Sequence, residues 1–284
     1  MGILTNAVRV SALAALTAGL TLAGASGVMA DPNTGKMSAS ASGLALWQFP
    51  DRRALNPDIF GTPADPLNID LLPLEERLTN EAGDAYTTIK SPLMFSNNVK
   101  QTTGEFKLSV VDASARDGMN SADTATMEAS FIGPKGREFK VVLKKLIPVG
   151  PVHPFFGGVG TNVLMHGATG IGTPLVAEVF SYITLWGIAD VSIDGELVDS
   201  GRIVHVMVSE RTRDDDFKLG FGVAQPDKLE IHMILPPLKG SPTGPVASPL
   251  PTGVILPNGV EQPALHVNFY GNAHVDGNQF VSSN

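Results

Sequence analysis

Six histidines stand in the second half of the chain: His153, His166, His205, His232, His266 and His274. Three fall inside short apolar–polar alternations, Ile203-Val204-His205-Val206-Met207, Ile231-His232-Met233-Ile234 and Leu265-His266-Val267-Asn268-Phe269. Side chains of a strand point alternately to its two faces. Val204, Val206 and Val208 therefore share one face of the first segment and leave His205 with Ile203 and Met207 on the other. By the same rule His232 lies with Glu230 and Ile234, opposite Ile231, Met233 and Leu235. His266 lies with Asn268 and Tyr270, opposite Leu265, Val267 and Phe269. Each imidazole takes the less apolar face of its strand.

Imidazole nitrogen suits zinc and copper. Where the three faces adjoin, His205, His232 and His266 form a metal site with His166 or Met207 as a further donor. Glu230 and Asn268 then stand ready to orient the ligands. The cofactor this implies is a zinc or copper ion, and no organic cofactor is expected. The competing reading keeps the histidines apart, solvated or hydrogen-bonded on the open face of an antiparallel sheet. Their spacings match no recognised metal motif, so both readings stand.

Other patterns carry less chemistry. Gly167-Ala168-Thr169-Gly170-Ile171-Gly172 lacks the Gly-Lys-Ser/Thr of a phosphate-binding loop and precedes Pro174 and a β-branched run rather than a helix. With Gly157-Gly158-Val159-Gly160 it reads as a mobile Gly-rich loop over residues 157–172, flanked by His153 and carrying His166. No Gly-x-Ser-x-Gly elbow occurs, and neither Asp214-Asp215-Asp216 nor Asp112 to Asp123 has the spacing of a calcium loop. Arg211 and Arg213 read as surface partners of the Asp run. No catalytic residue is singled out; if the protein is an enzyme, metal-assisted chemistry is the class expected.

The elements that must position these residues are strands. Glu105 to Val111, Thr124 to Ile132 and Glu138 to Ile147 alternate with period two, the last pair joined by Gly133-Pro134-Lys135-Gly136. Val176 to Ile193 is β-branched and aromatic, and Asp194-Gly195 supplies a hairpin turn into Glu196-Leu197-Val198. A kink at Asp199-Ser200-Gly201 precedes a strand over Arg202 to Ser209. Lys228 to Leu235 and Ala264 to Tyr270 complete the set, separated by a Pro-rich crossover over 236–263 with eight prolines. Residues 31–103 read differently: a flexible Ser/Ala/Gly opening from Lys36 to Gly43, then a Pro-rich extended arm anchored by Trp47, Phe49 and Phe60, with one short helix within Leu71 to Asn80. The fold class expected is mainly β, an antiparallel β-sandwich or barrel-like body over 104–284 with an extended N-terminal arm.

Composition narrows the function classes. Residues 1–30 read as a signal peptide: Arg9, an apolar run from Val10 to Gly24, and small residues at Val28 and Ala30 before Asp31. The expected location is exported, periplasmic or extracellular. The chain holds no cysteine, which leaves no disulfide framework and no thiolate ligand. With 20 basic and 28 acidic residues the net charge is −8, and no basic run invites nucleic acid. No membrane span is expected in the exported part. These features point to an exported β-rich binding protein with a histidine-lined metal site. Two alternatives remain open: a non-catalytic structural or protein-interaction module of the cell envelope, and a β-sandwich that binds a small ligand. The partners implied are a metal ion, a small molecule or another envelope protein.

Overall fold

The computed structural model describes residues 35–113, 121–147, 158–219 and 225–277. Residues 1–30, read above as a signal peptide, and His153 lie outside the described residues. Eight long strands carry the architecture: β1 (Gly35–Gln48), β4 (Val99–Asp112), β5 (Thr124–Ile132), β6 (Glu138–Leu146), β8 (Val179–Ile193), β9 (Glu196–Arg211), β10 (Gln225–Leu235) and β13 (Leu265–Phe269). Smaller strands are β2 (Arg77–Thr79), β3 (Tyr86–Ile89), β7 (Val159–Met165), β11 (Leu238–Lys239), β12 (Val246–Ala247) and β14 (His274–Gly277). The ladder runs β9-β10-β13-β1-β4-β5-β6-β8, and β8 pairs again with β9. Every pairing in this ring is antiparallel. The sheet therefore closes on itself as a barrel-like body and leaves no free edge among these eight strands.

The inward faces follow the period-two alternation. Phe106, Leu108 and Val110 of β4 meet Met127, Ala129 and Phe131 of β5 and Phe139, Val141 and Leu143 of β6 in one apolar cluster. Val204, Val206 and Val208, Ile231, Met233 and Leu235, and Leu265, Val267 and Phe269 line the remaining wall. Trp47 packs edge-on against Phe139 at 5.1 Å, and Phe131 stacks on Phe139 at 5.5 Å. Two glycines admit these rings. A Cβ on Gly133 falls 2.3 Å from the Phe139 ring, and one on Gly104 falls 2.9 Å from the Phe269 ring. The interior is filled with side chains, as in other barrels of eight strands.

Several segments differ from the sequence expectation. Lys36 to Gly43 is no flexible opening; it is the first half of β1, paired with β4 along its whole length. Ala and Ser are weak strand formers, but Met37, Ala39 and Ala41 face the core, and the two alanines leave room for larger residues across it. Residues 35–48 thus belong to the sheet, and the wrapping arm is the shorter stretch 49–98. Within that arm Leu74–Glu76 forms only a single 3-10 turn before β2. Residues 159–165, expected as loop, form β7 against β8. The Asp199-Ser200-Gly201 kink is a bulged interior stretch of β9, where Asp199 and Arg202 pair with Val191 and Ala189. The Pro-rich crossover sends Leu250 and Val254 into the core. Among the described residues no helix is long and apolar enough to cross a membrane.

Candidate histidine site beneath the arm

Because β9, β10 and β13 are neighbours, the outward faces of three histidine-bearing strands adjoin. His205 and His266 both align with Ile234, on either side of it, while His232 lies one pleat along, opposite Met207 and Asn268. The rings meet edge to face: His205–His232 centroids are 5.4 Å apart at 83°, and His232–His266 centroids are 5.0 Å apart at 62°. On the β8 side Trp186 stacks on His205 at 4.5 Å. The three imidazoles thus lie side by side on one face of the sheet.

The outward face would be wet in an open sheet, but here it is covered. Phe95 of the arm lies 5.1 Å from the His266 ring and 5.9 Å from the His232 ring. The segment after β7 brings His166 over Met207, its Nε2 3.2 Å from the sulfur. His166 has a positive φ of 66°, and its ring lies so close to Gly172 that a Cβ there would fall 2.7 Å from Nδ1. The Gly-rich segment thus serves to seat this ring. His166 and His232 are each 5% exposed, His205 is 7% and His266 1%, so the alternative of solvated histidines does not hold for these four. His274 stands apart, exposed and 2.9 Å from Asp276.

Hydrogen bonds fix the tautomers. His205 Nδ1 lies 2.9 Å from the Leu185 carbonyl, His266 Nδ1 3.1 Å from the Met94 carbonyl, and His166 Nδ1 3.2 Å from the Thr173 carbonyl. A carbonyl only accepts, so Nδ1 donates in each case, and a neutral ring then carries its lone pair on Nε2. The rings are neutral because burial disfavours the imidazolium: it lowers His166 to a pKa of about 4 and His205 and His266 to about 3, and drives His232 well below its ordinary value. Among the described residues the buried Nε2 atoms of His232 and His266 have no hydrogen-bond partner.

Beside the histidines lies a buried polar network. Glu230 accepts from Tyr270 Oη at 2.8 Å, from Thr212 Oγ1 at 2.6 Å and from Asn268 Nδ2 at 3.3 Å. Arg213 donates to Gln48 Oε1 at 2.6 Å, to the Ser96 carbonyl at 2.7 Å and to the Phe217 carbonyl at 2.8 Å. Gln48 in turn donates to Asn268. Glu230 and Asn268, expected behind the histidines, are committed to this network instead. Arg213, expected at the surface, is 1% exposed and ties the arm to β1, whereas Arg211 does reach Asp215 at 3.5 Å. Burial lowers the Arg213 pKa, and burial with the Glu230 charge raises Tyr270 well above the usual phenol. Sequence reasoning missed Phe95, the Met94 carbonyl and Trp186. Trp186 lies on the same hairpin as His205, but bulges around Asp199 decide that the two face each other.

Among the described residues no three His, Cys, Asp or Glu side chains are gathered into a set able to hold a metal ion. The rings pack against one another rather than around a centre. No family model, curated protein or solved structure matches this chain.

Proposed function

We propose that this chain is an exported binding protein that holds an ion of the zinc or copper class in the histidine layer between barrel and arm. The observation that carries this reading is the common anchoring of His166, His205 and His266, each through Nδ1 to a backbone carbonyl. That is how proteins orient metal-binding imidazoles, with the other nitrogen left as the donor. The unpartnered buried Nε2 atoms of His232 and His266 add support, since a buried polar atom without a partner costs roughly 1–3 kcal/mol and an ion removes that cost. Loading the layer requires at least one ring to turn out of its edge-to-face contact. The order of charge, apolar run and small residues in residues 1–30 supports export.

Elemental analysis after dialysis against scarce zinc and copper tests the reading, repeated on His205→Ala, His232→Ala and His266→Ala. The expected result is near-stoichiometric metal in the parent protein and at least roughly ten-fold weaker binding in one or more of the variants. A parent protein that carries no stoichiometric ion, or three variants that bind as it does, overturns it.

A further inference from the structure

We infer that the ion is monovalent copper, seated where His166 and Met207 meet and shared with His232; this rests on the metal-binding reading above. The first argument is the contact between His166 Nε2 and Met207 Sδ at 3.2 Å. With the His166 Nδ1 hydrogen committed to the Thr173 carbonyl, neither atom supplies a hydrogen to the other. Two lone-pair donors thus face each other in a buried place, and a soft cation is the partner both lack. Met207 is also the direct cross-strand neighbour of His232, whose Nε2 is unpartnered.

Charge gives the second argument. The donors are neutral imidazoles and a thioether, and Met165 and Val179 pack against Met207 as an apolar surround. The buried acid nearby, Glu230, is held by Tyr270, Thr212 and Asn268, and a buried cation, Arg213, is bonded in the same network to Gln48 and the Ser96 carbonyl. Placing an ion among such groups is opposed by lost hydration, a cost that grows with the square of the charge and is about four-fold smaller for a single charge than for a double one. Coordination number is the third. Structural zinc asks for four donors, and no set of three His, Cys, Asp or Glu side chains is prepared among the described residues. Monovalent copper is satisfied by two or three donors and is selected by thioether sulfur.

The test titrates the full purified protein anaerobically with Cu⁺ in ascorbate against the chromophoric chelator bicinchoninate, and in parallel with Zn²⁺ against a colorimetric indicator. Met207→Leu keeps the volume and removes the sulfur. The parent is expected to take one Cu⁺ in preference to Zn²⁺, and Met207→Leu to weaken Cu⁺ by about ten-fold or more with its Zn²⁺ response unchanged. Copper-edge X-ray absorption on selenomethionine-labelled parent protein keeps the idea testable if the variant misfolds, because a copper–selenium distance is then expected. Zinc held at one equivalent in preference to copper, or a copper centre with nitrogen neighbours alone, overturns the inference and leaves metal binding intact. Binding of neither metal overturns the metal-binding reading itself.

Discussion

At the residue scale, one side chain organises a stretch of the arm. Arg77 is 5% exposed, and its guanidinium donates to the carbonyls of Phe60 at 2.6 Å, Leu67 at 2.7 Å, Leu72 at 2.7 Å and Asn68 at 3.1 Å. It also lies 5.2 Å from the Phe60 ring and 5.0 Å from that of Tyr86. A planar fork of five donors suits several carbonyls at once, which an ammonium does not. Arg77→Ala leaves those carbonyls without their donor and is expected to cost about 3 kcal/mol, with Arg77→Lys recovering only part. Urea midpoints of the three proteins measure this, and a loss below about 1 kcal/mol for the alanine variant counts against the role. None of this was legible in the sequence, where Arg77 stands among Glu75, Glu76 and apolar residues and looks like a surface cation. Its partners are carbonyls, which every residue carries, so no side-chain pattern announces them.

At the scale of elements, the turn between β8 and β9 shows how a local signal places a distant residue. Asp194 has φ 53° and Gly195 φ 85°, the left-handed pair that a two-residue hairpin uses. The Asp194 carboxylate accepts from Arg137 Nε at 2.8 Å and from the Glu138 amide at 2.9 Å, which joins the turn to β6. These bonds hold its carboxyl below the usual range, the Arg137 side chain foremost. The turn starts the ladder at Ile193 and Glu196, and the bulges around Asp199 then shift it by two residues, which brings Trp186 opposite His205. Gly195→Val forces a β-branched residue to a positive φ and is expected to destabilise by about 1–3 kcal/mol. Equilibrium denaturation reads it, and an unchanged midpoint would contradict the turn assignment. Such strands and turns were legible because alternation and Asp-Gly are local. β1 was not, because its alternation runs through Ala and Ser, and the small size of Ala39 and Ala41 has a use only beside Leu108 and Phe106 in the core.

For the molecule as a whole, the buried histidines set a pH response in the metal-free protein. His166 titrates near 4 and His205 and His266 near 3 when folded, against 6.5 in the open chain, with His232 also well lowered. Between those values the unfolded chain binds protons that the folded chain refuses, so stability rises with pH across that window. The contribution is complete above pH 6.5 and declines as the pH falls toward 4, by about 1.4 kcal/mol per pH unit for each histidine in the middle of the range. Denaturant midpoints should therefore drop steeply from pH 7 to pH 4.5, and the drop should shrink in His266→Gln, which removes one titrating ring. A flat profile over that range would show that water already reaches the layer.

Taken alone, the order of residues determined the strand-rich class, most of the hairpins and the face that each strand histidine occupies, since side-chain alternation belongs to the single strand and needs no neighbour. Only the tertiary structure decided that β9, β10 and β13 stand side by side, that β8 closes the ring against β9, and that residues 49–98 cover the outward face. Those outcomes depend on pairing between segments as distant as Gln48 and Asn268, and on the apolar and hydrogen-bonded fit of Phe95, the Met94 carbonyl and Arg213 over the sheet. A surface that alternation alone leaves facing water thereby becomes a second interior, and its imidazoles are neutral for that reason.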